Sequence, residues 1–296
     1  MNYYNEIKNE LINNETYKKV KDYSKNKNDL KTYYNVGKLL SEAGKHYGEG
    51  IIKEYSPKLT KEFGKGYTYT ALFRMRQFYS LSNIATLSQQ LTWSHYIEIL
   101  KLDDPNIINY YIKISETYNL SVRELRTKIK NKEYDRLDEE TKNKLIFNNE
   151  DNNIKDFIKH PIIIKNKNNY EEISEKILKQ LILEDIASFM KELGNGFCYI
   201  DSEYKIKLGE RYNYIDLLLY NIEFNCYVVI ELKVTELKSE YIGQIQKYMN
   251  YIDINIRKIN QEKTIGIIIC RKDNHYIIEY TSDERIYQTT YELINI

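Results

Sequence analysis

The sequence predicts an α+β protein of two domains, a helical N-terminal domain followed by an α/β domain built on a mixed sheet. Three observations predict it. Apolar residues recur at helical spacing through residues 1–136, the chain turns polar between 138 and 170, and short runs rich in Ile, Val, Leu and Tyr begin after Gly194. At roughly 150 residues per domain, 296 residues allow two hydrophobic cores.

The helical domain is expected over residues 1–137. Val36, Leu39, Leu40 and Ala43 mark one apolar helix face. Gly64 and Gly66 interrupt the pattern, and a second helical stretch runs from Thr70 to Tyr79. Residues 59–79 resemble a helix-turn-helix whose second helix, with Thr68, Thr70, Arg74 and Arg76, can reach DNA phosphates and base edges; the alternative is two packed helices with solvated Arg side chains. Thr92 or Ser94 can cap the helix that follows. Asp104-Pro105 places Pro in the first turn of the next one. Ser121 with Glu124 three residues later is a capping box. Arg123, Arg126, Lys128, Lys130 and Lys132 form a basic run on that last helix, read as a solvated face or as a phosphate track.

Composition excludes several function classes. No apolar run approaches the ~20 residues that span a bilayer. The start, Met1-Asn2-Tyr3-Tyr4-Asn5-Glu6, has no apolar signal core. With a mean hydropathy of −0.63, a cytoplasmic protein with no membrane partner is expected. Cys198, Cys226 and Cys270 lie far apart without a C-x-x-C pair, so they read as buried, reduced thiols in strands rather than a zinc site. The four His form no metal-binding spacing. A net charge of +1 does not mark a globally basic nucleic-acid binder. The halves differ: residues 1–150 hold 25 Lys and Arg against 20 Asp and Glu, and residues 151–296 hold 19 against 23. The 30 Tyr fit an A/T-rich coding bias, so their number alone signals nothing.

A polar linker is expected over 138–170, centred on Asn148 to Asn153, with a short helix at 154–159 that His160-Pro161 ends. The second domain, 171–296, opens with one long amphipathic helix to Leu193, stopped by Gly194. Strands are expected at 197–200, 214–220, 226–232 and 264–270, a helix at 240–252, and trailing strands at 276–280 and 289–293. Helix, three strands, helix, strand is an α/β order with a mixed sheet.

The chemistry concentrates in two of these strands. Asp216 is a lone carboxylate inside Tyr214-Ile215-Asp216-Leu217-Leu218-Leu219-Tyr220, and Glu231 and Lys233 end Val228-Val229-Ile230-Glu231-Leu232-Lys233. An unpaired buried charge costs several kcal/mol, so such groups need partners or a function. Strand alternation puts Glu231 and Lys233 on one face. A hairpin centred between Glu223 and Phe224 pairs residues whose numbers sum to 447, which sets Asp216 opposite Glu231. Opposed Cβ atoms lie about 5 Å apart. Two carboxylates at that distance repel unless a cation sits between them, and a hard divalent ion such as Mg²⁺ suits oxygen ligands.

Asp216…Glu231-Leu232-Lys233 on adjacent strands, in this element order, resembles the PD-(D/E)xK nuclease superfamily. Phe189-Met190-Lys191-Glu192-Leu193-Gly194-Asn195-Gly196-Phe197, Ile215-Asp216-Leu217-Leu218-Leu219-Tyr220, Val229-Ile230-Glu231-Leu232-Lys233, Glu240-Tyr241-Ile242-Gly243-Gln244 and Ile265-Gly266-Ile267-Ile268-Ile269-Cys270 narrow it. Together they resemble the YhcG-like family of bacterial proteins, as do Leu91-Thr92-Trp93-Ser94-His95-Tyr96 and Ser121-Val122-Arg123-Glu124-Leu125 near the N-terminus.

The resemblance implies a helical N-terminal domain for DNA or partner contact and a restriction-endonuclease-like domain with an αβββαβ core. It implies a Mg²⁺-dependent DNA endonuclease, with Mn²⁺ as a substitute. Asp216 and Glu231 would ligate the metal with the Leu232 carbonyl, and Lys233 would assist the attacking water or meet charge on the phosphate. A Glu from the first helix is also implied; Glu184 is the choice, with Glu175 and Glu192 as rivals. Gln244 matches the last motif position, with Tyr248 one turn on. The chain departs from the family pattern at Ser202-Glu203, where Arg-Gln is common, and at Lys179, where a Glu is common. Cutting two strands is easier with two sites, which favours a homodimer. Restriction, mobile-element or phage-defence partners follow by family analogy. The rival readings are a non-catalytic DNA-binding or scaffolding subunit, and a nuclease for RNA or branched DNA.

Overall fold

A computed structural model describes residues 2–19, 25–47, 50–81, 88, 90–146, 153–279 and 283–295. Two compact units emerge, Met1–Tyr134 and Asp135–Ile296.

The first unit holds seven α-helices among its described residues: α1 (Tyr3–Lys19), α2 (Lys25–Tyr47), α3 (Ile51–Phe63), α4 (Tyr69–Leu81), α5 (Trp93–Ile99), α6 (Pro105–Thr117) and α7 (Val122–Lys130). Their ends are written locally. Thr92 caps α5 in a reciprocal box with His95. The Asp104 carboxylate accepts the N–H groups of Asn106 and Ile107 ahead of α6. Ser121 and Glu124 close the box on α7. α2 and α4 pack so closely that a Cβ added at Gly37 would lie 2.0 Å from the Met75 carbonyl oxygen, so only glycine fits there. Ile7, Leu11, Val36, Leu40, Leu59, Leu72 and Met75 form the core between them.

The second unit contains α8 (Glu139–Ile146), β1 (Ile162–Asn166), α9 (Glu175–Glu184), α10 (Ile186–Leu193), β2 (Phe197–Leu208), β3 (Arg211–Asn221) and β4 (Cys226–Leu232). It continues with α11 (Ser239–Asn255), β5 (Ile265–Cys270), α12 (His275–Glu279) and β6 (Ile286–Asn295). The sheet order is β1-β6-β5-β4-β3-β2. β2, β3 and β4 run antiparallel; β4, β5, β6 and β1 run parallel, with α11 crossing from β4 to β5. Side chains alternate through the sheet. Leu217, Leu219, Val228, Ile230, Ile267 and Ile269 pack with Leu178, Leu181, Phe189 and Leu193 of α9 and α10. Leu218, Val229 and Ile268 pack with Ile245, Met249 and Ile252 of α11. Both faces are covered, which is why β4 and β5 read as unbroken apolar runs. At Gly266 an added Cβ would meet Met249 Sδ at 2.6 Å, so this glycine sets how closely α11 lies on β5.

Four expectations need correcting. The segment 138–170 is not simply a linker: it holds α8, a 3₁₀ turn over Ile154–Phe157 and the edge strand β1, while its centre at 147–152 lies outside the described residues. The single helix over 171–193 is two helices broken at Asp185. That residue leaves helical geometry (φ −138°, ψ 50°), caps α10 through the Ser188 N–H, and pairs with Lys165 and Lys167 at 3.0 Å each. Residues 275–279 form a helix rather than a strand. Cys198 is exposed, whereas Cys226 and Cys270 are buried as expected. No helix among the described residues is long and apolar enough to cross a membrane.

Candidate active site

The site forms where β3 and β4 part. The ladder runs from Asn221 opposite Cys226 to Leu217 opposite Ile230, the register that sums to 447. One position further, Asp216 turns to the neighbouring strand: its Oδ2 accepts the backbone N–H of Leu232 at 3.0 Å. The β3 carboxylate is thereby tied to the strand that carries Glu231 and Lys233.

Glu231 is 1% exposed. Its Oε2 accepts Lys233 Nζ at 3.2 Å and Gln244 Nε2 at 3.2 Å. Its Oε1 is buried and finds no hydrogen-bond partner among the described residues. Burial, with the Asp216 charge adding to it, pushes the Glu231 carboxyl up to about 8 against the pull of Lys233. Lys233 lies between Glu231 and Glu175, whose Oε2 is 3.8 Å from its Nζ, and 5.1 Å above the Tyr241 ring. Burial works against the Lys233 ammonium, but Glu231 and Glu175 outweigh it and hold it above its ordinary range. Gln244 and Tyr248 stand one turn apart on α11, and Gln244 Nε2 also donates to the Tyr248 hydroxyl at 3.1 Å.

An orphaned buried carboxylate oxygen costs free energy unless something meets it. Oxygen donors from Glu231, Asp216 and the β4 backbone are what a hard divalent cation takes, with water completing the set. The residues fit such an ion. Among the described residues no three His, Cys, Asp or Glu side chains converge as a ready cage, so two carboxylates are the side-chain donors on offer.

The helix carboxylate expected at Glu184 is elsewhere. Glu184 pairs with Asn168 and Gln180 in the exposed region at the end of α9. Glu175 is the α9 carboxylate that reaches the site, through Lys233. The two are nine positions apart, which at 100° per residue puts them on opposite faces of the helix. Glu192 is structural: it binds the Arg136 guanidinium and accepts the Ile163 N–H at 3.0 Å.

Lys179 lies one turn after Glu175. Its Nζ donates to Glu203 Oε1 at 2.8 Å and to Asp216 Oδ1 at 3.3 Å. The two departures from the family pattern therefore meet each other as an ion pair, at the candidate metal ligand. Their mutual contact has no signal in local spacing, since it joins a helix to a strand 24 residues later.

In the first unit, α3 and α4 are joined by Gly64 (φ 94°) and a 3₁₀ turn over Lys65–Tyr67. Arg74 and Arg76 are two positions apart on α4 and so do not share a face. Arg76 stacks over Phe73 at 5.3 Å. Of the basic run on α7, Arg126 holds the buried Glu98 with bonds of 3.0 and 2.7 Å, and Lys128 holds the buried Glu133 at 2.7 Å. Those two cations serve the fold rather than a continuous phosphate track.

Comparison with known proteins finds a match for each part of the chain. Residues 155–294 match the family described as the YhcG PDDEXK nuclease domain, and residues 7–136 match the DUF1016 N-terminal domain. The chain thus pairs a match to the DUF1016 N-terminal domain with a match to the YhcG PDDEXK nuclease domain, and is similar to the YhcG-like family in both parts. A curated relative, "Putative nuclease YhcG" of Escherichia coli (strain K12), is 22% identical over 295 residues, covering 83% of this chain and 79% of that protein. Two solved structures share limited likeness. One is titled a repair endonuclease from Pyrococcus abyssi (21% identity, TM-score 0.29) and one an EndoMS-dsDNA2 complex (18%, TM-score 0.31). Each match covers 41% of this chain, which spans about half the length of those structures (48% and 47%). The YhcG-like chain is α+β, with a helical N-terminal region and a C-terminal PDDEXK domain on a mixed sheet.

Proposed function

We propose that this protein is a divalent-metal-dependent DNA endonuclease whose C-terminal unit hydrolyses phosphodiester bonds at Asp216, Glu231 and Lys233. One observation carries the reading. Glu231 Oε1 is buried without a partner while Asp216, Lys233 and Gln244 crowd the same strand end. Buried polar atoms are nearly always paired, and among the described residues Glu231 Oε1 is the one carboxylate oxygen left buried without a partner. Asp216, Glu231 and the Leu232 carbonyl would hold the ion, Mg²⁺ with Mn²⁺ as a substitute. A bound divalent ion supplies Lewis acidity at the phosphoryl oxygen and a more acidic water.

The protein's own groups do the rest. Gln244 and Lys233 occupy Glu231 Oε2, which leaves Oε1 for the ion. The Leu232 N–H fixes one oxygen of Asp216. Lys233 keeps its proton, so it orients the attacking water and meets negative charge on the phosphorane rather than acting as a base. Tyr248 steadies Gln244. DNA as substrate and a restriction or defence partner follow the family resemblance, and a homodimer follows from the need to cut two strands. The helical unit would contact DNA or that partner.

The test is cleavage of a labelled panel in Mg²⁺ and Mn²⁺: linear, supercoiled, single-stranded and branched DNA, and RNA. Wild type runs beside Glu231→Gln. Metal-dependent cutting lost in the variant supports the reading and reveals the substrate. No cutting of any member, with nucleic-acid binding intact, replaces it with a non-catalytic binding subunit. Cutting of RNA alone corrects the substrate.

A further inference from the structure

Each strand carboxylate of the site is matched by one lysine, and each lysine has a second carboxylate nearer solvent. Lys233 lies between Glu231 and Glu175, at 3.2 and 3.8 Å. Lys179 lies between Asp216 and Glu203, at 3.3 and 2.8 Å. With all six groups ionised the cluster carries a charge of −2, which one divalent cation neutralises.

The two lysines are not equivalent. Lys233 takes the Glu231 oxygen shared with Gln244 and leaves Oε1 alone. Lys179 sits on Asp216 Oδ1, and the other Asp216 oxygen is bound to the Leu232 N–H. Both oxygens of Asp216 are thus engaged, and a cation that shares Asp216 with Glu231 meets the Lys179 ammonium there. Like charges a few ångströms apart in a half-buried site repel strongly. Glu203 offers Lys179 an alternative within reach: the bond to it is already the shorter of the two. Lys179 is 16% exposed and Glu203 66% exposed, so the move is outward. Glu203 itself adopts a left-handed backbone (φ 52°) inside β2, between Ser202 and Tyr204, whose ladder partners Leu217 and Ile215 flank Asp216. A non-glycine residue held there costs of order 1 kcal/mol and calls for a reason.

We propose that Lys179 is a positioning residue that holds Asp216 when no metal is bound and is handed to Glu203 when a divalent cation takes Asp216. This rests on the metal-site reading of Asp216 and Glu231. Its consequence is that metal affinity is set by a competition inside the protein, with Glu203 on the side of the metal and Lys179 against it.

The experiment is Mn²⁺ binding to the full chain without nucleic acid, followed by the paramagnetic resonance of free Mn²⁺. Lys179→Met, which keeps the stem and removes the charge, is expected to tighten binding by about fivefold or more. Glu203→Gln is expected to weaken it several-fold, because Lys179 then has only Asp216. The pair Lys179→Met/Glu203→Gln is expected to match Lys179→Met, since Glu203 acts through Lys179. Lys179→Arg, which keeps the cation, is expected to stay near wild type and serves as the folded control alongside Glu203→Gln. An unchanged or weaker affinity in Lys179→Met, or a Glu203→Gln effect that persists without Lys179, overturns the proposal. If Lys179→Met does not fold, a Glu203→Gln protein that binds Mn²⁺ as wild type does overturns it equally. Asp216→Asn and Glu231→Gln separate the two readings: Mn²⁺ binding indifferent to both removes the metal site itself, whereas binding lost in both but indifferent to Lys179 and Glu203 removes only the handover.

Discussion

Asp216 on β3 accepts the backbone N–H of Leu232 on β4 at 3.0 Å, where the ladder between the two strands has ended. A side chain takes over from the backbone, and this fixes the distance between the two candidate ligand strands. Asp216→Asn keeps an acceptor oxygen for that bond but loses the charge. Cleavage is expected to fall about 100-fold or more, with the melting temperature within a few degrees of wild type. Calorimetry beside the cleavage assay checks it; a large drop in melting temperature would recast Asp216 as a structural residue.

Gln244 holds the Glu231 oxygen that Lys233 also holds. Gln244→Ala leaves Lys233 to hold that oxygen without Gln244, and a supporting contact of this kind is worth about 10- to 100-fold in metal affinity or activity. Tyr248→Phe removes only the hydroxyl behind Gln244 and is expected to have the smaller effect. Equal activity of Gln244→Ala and wild type across a Mg²⁺ titration would remove Gln244 from the site.

The helix carboxylates give a simple contrast. Glu184→Ala removes contacts to Asn168 and Gln180 only, and cleavage is expected to stay within about twofold of wild type, as for an exposed surface position. Glu175→Gln removes a charge 3.8 Å from Lys233 and is expected to lower activity. The reverse order in a side-by-side assay would restore Glu184 as the helix ligand.

Glu231 makes the metal-free fold pH-dependent. Its carboxyl sits near 8 when folded and at 4.5 in the unfolded chain, because burial disfavours the charge. The folded state therefore holds a proton that the unfolded chain releases, and stability falls as pH rises between those values. The contribution is fully present below 4.5 and is lost as pH passes about 8. Thermal melting in chelator is expected to show this slope in wild type and a flatter one in Glu231→Gln.

Thiol chemistry checks the sheet. Burial pushes Cys226 and Cys270 up to about 11, whereas Cys198 is exposed on β2. Alkylation of the native protein near pH 8 is expected to label Cys198 fast and the other two only on unfolding. Three equally reactive thiols would contradict the packing of β4 and β5.

Much of this was legible in the residues. Caps at Asp104 and Ser121 are local, because the side chain bonds to backbone two or three residues on. The antiparallel pairing of β3 with β4 that brings Asp216 toward Glu231 follows from period-two alternation and a short turn. Both are fixed by neighbours in sequence. What tertiary structure decided lies across long separations. β1 is a short apolar run in a polar stretch and becomes a strand only by pairing with β6, some 130 residues later. Asp185 breaks a helix that its periodicity would continue, because Lys165 and Lys167 meet it from the β1 side. Whether Glu175 or Glu184 reaches the site depends on which face of α9 meets the end of β4. Lys179 and Glu203 stand out in sequence only as departures from a family pattern; the fold makes them a pair on Asp216. Spacing says which side chains share a face, whereas only packing says which face meets which.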